Sequence, residues 1–559
     1  MNRKPSKSAI KFLRWFCRED SIEEIEGDLL EIFSKDAIHH PGRAQRHFIY
    51  SVIKSFRWRN LKIAHRGVSI ISWDLFRHYF KLSLRSIRTN PTFSFLNIMS
   101  ITIGLTCCLA LLTFSRYEDN FDRHYSEFNQ IYRIVQHTKY PEKTEFWNTT
   151  AYPLAAALRH DFPEAGTVAQ TAGPLSYTIN IAGNRKTPLR YSEDYVLFAD
   201  SGYMKLFQPQ WLAGIQDDFN SNINCILLTE TTARKYFGPD YNPEELLHNE
   251  IILIGETPLE LVGIVADPPA NSTIRYDILI PYSFFRNKNE YWAENWSGNY
   301  QGTTFIRLNE RTKAEQMNQA INHWKKKYLK PEDDQRIEYF LQPLIEMHTD
   351  TRYGSSPGSY VISKKMIRIG RLIAVFILLI AILNFINLVS ARSGIRLKEI
   401  SLRKIVGGSR WKLFQQFFLE NTLLVCIAVG LSLLSVQYVL VKINESLSMI
   451  NLDLKIKQDD IWTIIIVGLS AILLTNIYPA SILSSFKPVQ LLTKQFGSRI
   501  KQSFSRKGFI LFQFILIHSF VASAIIIFQQ MNFFKNSEIG FSSDQVVITP
   551  APDFSRKDP

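Results

Sequence analysis

Between two long apolar runs the chain carries Arg392–Lys412, RSGIRLKEISLRKIVGGSRWK, with seven basic residues and one acid. Residues of these types in a short helix do docking chemistry. The cations and the lone Glu399 supply charged contacts, while Ile395, Ile400 and Ile405 form a broken apolar side that can seat in a partner's groove. The same cations also suit anionic lipid, so spacing alone leaves both readings open. Gly407-Gly408 ends the helix, and Ser409-Arg410-Trp411 turns into the next apolar run. Polar residues also sit inside the apolar runs. Asn384 and Asn387 lie one turn apart, and an unpaired amide in hydrocarbon is costly, so both are expected at helix contacts, with substrate contact as the other reading. Gly104, near Ser100 and Thr102, is expected at a close helix approach. His518 is expected as a neutral histidine buried at a helix contact.

No GxxxxGK[ST] occurs in the 559 residues, so an ATP-driven step requires ATP held by another subunit, and no cofactor is expected within this chain. The outside block is read as holding no HExxH, GxSxG or similar catalytic arrangement, and the chain is read as not an enzyme. Asp267 before Pro268-Pro269 reads as a turn residue. The five cysteines (Cys17, Cys107, Cys108, Cys225 and Cys426) have neither CxxC spacing nor zinc-finger histidine partners, so no metal site is expected.

These residues must be carried by membrane helices. The chain is 21% charged yet its mean hydropathy is −0.07, so apolar residues are concentrated. Disorder, collagen and a disulfide scaffold are excluded by composition. Thr92–Phe114, Leu372–Ala391, Thr422–Val441 and Ile461–Leu483 hold no charge, and Gly508–Gln530 is interrupted only by His518. Each reaches the ~20 residues a helix needs to cross a bilayer. With spans at 92–114, 366–391, 413–441, 461–483 and 508–531 and a cytoplasmic N-terminus, the inside segments hold 31 basic and 10 acidic residues, the outside segments 32 and 40. That asymmetry obeys the positive-inside rule. The net charge of +14 is therefore a topology signal, and nucleic acid is not expected as a partner.

Residues 1–75 read as a small helical cytoplasmic domain, with helices over Ala9–Phe33 and Arg43–Arg59 and a capping box at Ser21 and Glu24. It is either a plain inner-face domain or a docking module. Met1–Arg14 lacks an apolar h-region, so no cleavable signal peptide is expected. Residues 76–91 form an interfacial amphipathic helix with Arg77, Lys81, Arg85 and Arg88 on its polar side, broken at Asn90-Pro91. The outside block, 115–365, alternates aromatic and β-branched residues with turn punctuation and reads as α+β. Strands are expected at Ile131–Gln136, Asn224–Thr229, Ile251–Ile254, Leu259–Val265, Thr303–Leu308 and Ile337–Leu341. Helices are expected at Tyr152–His160, Thr231–Phe237 and Lys313–Lys327. Cys225 is alone in this block and cannot form an internal disulfide. Residues 392–412 are a cytoplasmic loop, 442–460 a short outside loop and 484–507 a cytoplasmic linker. Arg506–Phe541 repeats the layout of Arg88–Phe121, so 532–559 reads as the start of a second outside segment that is cut short.

The run RLKEISLRKIVGGSRWKLFQQFFLEN, residues 396–421, resembles the loop signature of the FtsX-like permease family, R-x-x-E-I-x-x-R-K-x-x-G-A-x-R…Q-F-x-x-E. Arg396, Glu399, Ile400, Arg403, Lys404, Gly407, Arg410, Gln416, Phe417 and Glu420 match, and Gly408 replaces the usual Ala. LNFINLVSAR at 383–392, YPASILSSFKPVQLL at 478–492 and FKLSLRSIRTNPTFSFLNIMSITIGL at 80–105 resemble the family's span boundaries. LTETTARKYFG at 228–238 and VADPPANSTIRYDILI at 265–280 resemble the MacB-like periplasmic core domain.

The fold implied is a membrane protein: a five-span α-helical bundle, an α+β extracytoplasmic MacB-like core domain and a small helical N-terminal cytoplasmic domain. The resemblance implies the permease subunit of a type VII ABC transporter working by mechanotransmission at the plasma (inner) membrane. A separate cytoplasmic ATPase docks on Arg396, Glu399, Arg403, Lys404, Gly407 and Arg410, and its closure moves the extracytoplasmic domain, for efflux or export. Further partners implied are a second permease copy or half, membrane lipid and a periplasmic adaptor protein. The alternative is a membrane sensor or regulator whose outside domain binds a ligand or activates an extracytoplasmic partner. In a cysteine-free background, Glu142→Cys should react with an impermeant maleimide in cells whose outer membrane is permeabilised. Lys398→Cys should react only after the inner membrane is opened, and the reverse pattern would overturn the topology.

Overall fold

The computed structural model describes residues 10, 12–13, 19–39, 44–55, 73–181, 189–248, 251–254, 257–296, 302–309, 313–391, 409–485 and 504–537. Its contacts divide into two units, one of 1–102, 380–430 and 466–559, the other of 103–379 and 431–465.

Among the described residues, five helices are long and apolar enough to cross a bilayer. They are Pro91–Asp119, Lys364–Ala391, Arg410–Ser446, Asp460–Ser485 and Phe504–Asn536. A helix satisfies every backbone amide within itself, which hydrocarbon demands. The first runs 29 residues and the third 37, longer than their apolar runs, because the polar ends find partners. Arg116, beyond the first apolar run, donates to the Asp459 carbonyl at 2.8 Å, to Asp460 at 3.0 Å and to Thr463 at 3.2 Å.

In the first unit, Glu19–His39 and Ala44–Lys54 are helices. Leu29 and Phe33 from one pack with Ala44, Phe48 and Val52 from the other, spaced as a helical stripe requires. Ser21 does not cap a helix: the helix already runs through it from Glu19, so Ser21 is an interior residue. Trp73–Thr89 is a helix in which Arg77, Lys81, Arg85 and Arg88 are exposed while Tyr79 and Ser83 are buried. Asn90 bends the chain, and Pro91 opens the next helix, where its missing N–H costs nothing.

The second unit holds a sheet in the order β11-β1-β10-β3-β4-β9-β6-β8-β5. The strands are β1 (Ile131–Lys139), β2 (Thr144–Trp147), β3 (Gly166–Ile181), β4 (Leu189–Ala199), β5 (Trp211–Gly214), β6 (Cys225–Thr229), β7 (Ile251–Ile254), β8 (Thr257–Val265), β9 (Ile278–Pro281), β10 (Gly302–Leu308) and β11 (Ile337–Pro343). β2 pairs β1, and β7 bridges β3 and β8. The β4–β9 and β6–β8 pairs are parallel, and the other pairings are antiparallel. The six expected strands form, as do helices at Pro153–Asp161, Glu230–Phe237 and Ala314–Trp324. β3 and β4 were not legible. β3 is interrupted by Gly173-Pro174, where its register against β4 shifts. Gly173 sits at φ +94°, and a Cβ there would lie 2.8 Å from the Leu175 nitrogen. β4 carries Glu193, a poor strand residue that is nonetheless buried, accepting from Lys235 at 2.7 Å and Tyr236 at 2.8 Å.

Apolar clusters cover the sheet on both faces. Phe198 is fully buried on β4, 5.2 Å from the Phe285 ring and 5.7 Å from that of Tyr177. Phe198→Ala should lower the stability of this unit by about 3–5 kcal/mol, read as an earlier unfolding transition by circular dichroism.

Candidate functional site

Of the expected docking residues, Arg396, Glu399, Arg403, Lys404 and Gly407 lie outside the described residues. Arg410 is the first residue of the Arg410–Ser446 helix. That helix start is held in place. The Ser409 hydroxyl accepts from the Lys412 amide at 3.3 Å, the Tyr79 hydroxyl donates to the Lys412 carbonyl at 3.4 Å, and Leu413 and Phe417 are buried. Glu420, at 8% exposure, accepts from Ser86 Oγ at 2.6 Å. The amphipathic Trp73–Thr89 helix is therefore bonded to the first turns after the basic loop.

The intramembrane polar residues are paired. Asn384 donates to Ser100 Oγ at 2.7 Å and Asn387 to Gln513 Oε1 at 3.2 Å. Thr102 donates to the Ala428 carbonyl at 3.4 Å, and Gly104 is buried. These bonds place Asn384 and Asn387 at helix contacts. His518 departs from expectation. It is exposed, and its Nδ1 donates to the Phe514 carbonyl at 2.7 Å one turn back. Its apolar helix window buries none of its residues, so local bonding, not a neighbouring helix, satisfies the imidazole.

Sequence reasoning missed the polar core where the first membrane helix enters the β-domain. Glu118 and His348 are both fully buried and hydrogen-bonded to each other. Tyr360 donates to the other Glu118 oxygen at 2.7 Å, and the Phe121 and His348 rings stack at 3.4 Å. Asp122 is left-handed at φ 58° and fully buried. Its carboxylate accepts from the Thr273 amide at 2.8 Å, Thr273 Oγ1 at 2.6 Å and Ser272 Oγ at 3.2 Å. Burial pushes Asp122 up to about 6, with the Thr273 bonds opposing. On the same side, Arg371 of the second membrane helix pairs with Asp119. The motifs at 228–238 and 265–280 were visible in sequence, but nothing there marked Thr273 as the partner of Asp122. Asp267 acts as more than a turn residue, accepting from the Thr231 amide at 3.3 Å and Thr231 Oγ1 at 2.9 Å.

The five apolar helices, the β-domain inserted between the first two and the loop-bearing third helix agree with what family comparison finds. The family described as the MacB-like periplasmic core domain matches residues 94–324, and the FtsX-like permease C-terminal family matches residues 371–488. Together these stretches cover more than half of the chain. The chain belongs to the FtsX/MacB-like ABC permeases.

Among solved structures, this permease is similar to a permease protein domain from Porphyromonas gingivalis at 19% identity. That similarity covers 42% of this chain and 96% of the other, with a TM-score of 0.34. It is also similar to the periplasmic region of MacB from Actinobacillus actinomycetemcomitans at 13% identity, over 38% of this chain and 88% of the other, with a TM-score of 0.27. No curated protein matches.

The reading that the outside block holds no GxSxG is corrected at one place. Gly354-Ser355-Ser356-Pro357-Gly358 has the GxSxG spacing of a hydrolase nucleophile elbow. In this permease it follows a 3-10 turn and precedes a loop, not the strand-to-helix turn an elbow needs. Ser356 Oγ accepts from Arg133 at 3.4 Å, and no histidine bonds to it among the described residues.

The polar core has a signed pH consequence. Between about pH 4 and 6 the folded state keeps a proton on Asp122 that the unfolded chain has released, so this group's contribution to stability falls as pH rises through that window. Moving a carboxyl from 3.8 to about 6 corresponds to about 3 kcal/mol. Thermal unfolding of the wild type should lose stability relative to Asp122→Asn by that order across the window. A pH-independent difference would contradict the assignment.

Proposed function

We propose that this permease is the transmembrane subunit of an ABC export system. It recruits a separate cytoplasmic ATPase through residues 392–412 and transmits ATPase closure to its extracytoplasmic domain. The observation that carries this reading is the FtsX-like match over 371–488, which brackets the basic loop between two membrane helices. That these 559 residues contain no GxxxxGK[ST] is in keeping with this reading. Arg396, Glu399, Arg403, Lys404, Gly407 and Arg410 supply the docking contacts, with Glu399 as the lone acid among cations. The Ser86–Glu420 bond ties the helix after the loop to the Trp73–Thr89 helix, which supports reading the two as a unit that moves together.

The N-terminus and the basic loop lie on the cytoplasmic side, where inner-leaflet lipid meets the exposed Arg77, Lys81, Arg85 and Arg88. A second permease copy or half completes the transporter, and a periplasmic adaptor is a natural partner of the extracytoplasmic domain. A second reading, a sensor or regulator, draws on a cavity of about 520 Å³ in the extracytoplasmic domain, lined in part by Tyr152, Tyr282, Trp296 and Arg159.

Affinity capture of the tagged chain from native membranes separates the two. The wild type should recover a P-loop ATPase, and Glu399→Arg/Arg403→Glu should lose it while inserting to the same level. Recovery of no ATPase by either protein would favour the sensor.

A further inference from the structure

Arg133, on β1, is 2% exposed, and among the described residues no carboxylate lies within ion-pairing distance of it. Its guanidinium donates from Nε at 3.0 Å and Nη2 at 2.7 Å to a neutral acceptor, Gln342 Oε1, and from Nη1 at 3.4 Å to Ser356 Oγ. Burial pushes it down to about 10, still protonated at neutral pH. A buried charge whose hydrogen bonds all go to neutral partners is costly, and proteins normally set an opposite charge directly against it.

Ser356 lines a cavity of about 290 Å³. The cavity opens beside the β3–β4 irregularity at Gly173-Pro174, and bulges of this kind recur next to binding sites. Arg275 lines it too. Its Nη2 donates to the Ala270 carbonyl at 2.7 Å, while its Nε is buried without a partner. Thr171 and Thr303 add hydroxyls, and Trp147 and Phe305 add apolar wall. No aspartate or glutamate lines the cavity. The lining is therefore part cationic and hydroxylated, with a second guanidinium one serine behind it, and part apolar. Asp122 and Asp350 act on Arg133 only at longer range, and their own bonds go to Thr273 and Arg352.

We propose that this cavity binds a small organic carboxylate, its anionic head set against Arg275 and Ser356 and its apolar body against Trp147 and Phe305. The planar carboxylate suits guanidinium donors, and the apolar wall favours a carbon body over a bare inorganic ion. Arg275 follows Ser272 and Thr273, the residues that bond Asp122, so the ligand sits against the same strap that holds the end of the first membrane helix. The site is independent of how the permease is energised.

The test titrates the detergent-solubilised full chain with sodium benzoate, sodium acetate and sodium chloride at matched ionic strength, read by calorimetry and by tryptophan emission. Benzoate should bind more tightly than acetate, and chloride should give no saturable signal. The emission change should vanish in Trp147→Phe. Arg275→Met, which removes a half-buried charge and keeps its stem, should weaken benzoate by about 10–100-fold. Arg133→Met should also weaken it, and if that variant fails to fold, Arg275→Met still decides. Arg286→Met, in the larger cavity, should leave affinity unchanged. Benzoate no better than chloride, or affinity kept within twofold by Arg275→Met, would overturn the proposal.

Discussion

A carboxylate taken fully out of water must be met by donors, and Asp122 meets that demand at the point where the first membrane helix becomes the β-domain. Its left-handed backbone, rare for a non-glycine residue, stops the helix direction, and Thr273 and Ser272 hold the side chain from one strap. Glu118, one turn earlier, is satisfied by His348 and Tyr360 from the far end of the same domain. Rotating or withdrawing the helix end would unpair two buried carboxylates together. The junction is therefore rigid, and the β-domain and the outer end of the helix move as one body. Such a junction suits the proposed transmission of movement along a helix into the extracytoplasmic domain.

The membrane helices follow the same logic at lower cost. Amides and hydroxyls within them find donors or acceptors on a neighbour or one turn back, as Asn384 does with Ser100 and Thr475 with the Ala471 carbonyl. Lipid offers no hydrogen bonds, so these pairs select one arrangement among many apolar packings of similar energy. Arg116 and Asp460 serve the equivalent purpose at the outer ends, where helices extend beyond their apolar runs.

The extracytoplasmic domain is acidic overall, yet it buries one cation in an unusual place. Arg133 is buried on β1 with no carboxylate within ion-pairing distance among the described residues, although Asp161, Asp200 and Asp350 each hold a basic residue. Arg275 lines one cavity of this domain, and Arg133 bonds Ser356 in that cavity's wall. The GSSPG loop belongs to that cavity's wall, which gives its serines a binding role without the histidine that hydrolysis would require.

Local pattern alone made much of this permease legible. Five uncharged runs, the break at Asn90-Pro91, and the strands and helices with clean apolar periodicity were readable because bilayer length, proline and alternation act within a few residues. The loop signature at 396–421 was readable for the same reason. β3 and β4 were not, because their glycine, proline and acidic residues oppose strand formation locally and are rescued by Lys235 and Tyr236 from elsewhere in the chain. The His348–Glu118 pair joins residues 230 positions apart, and the Arg133 site joins β1 to a loop 223 positions away. His518 was misread because its satisfaction comes from its own helix. Spans, elements and family followed from residue order, whereas the buried charges and what satisfies them were decided only when the tertiary structure brought distant side chains together.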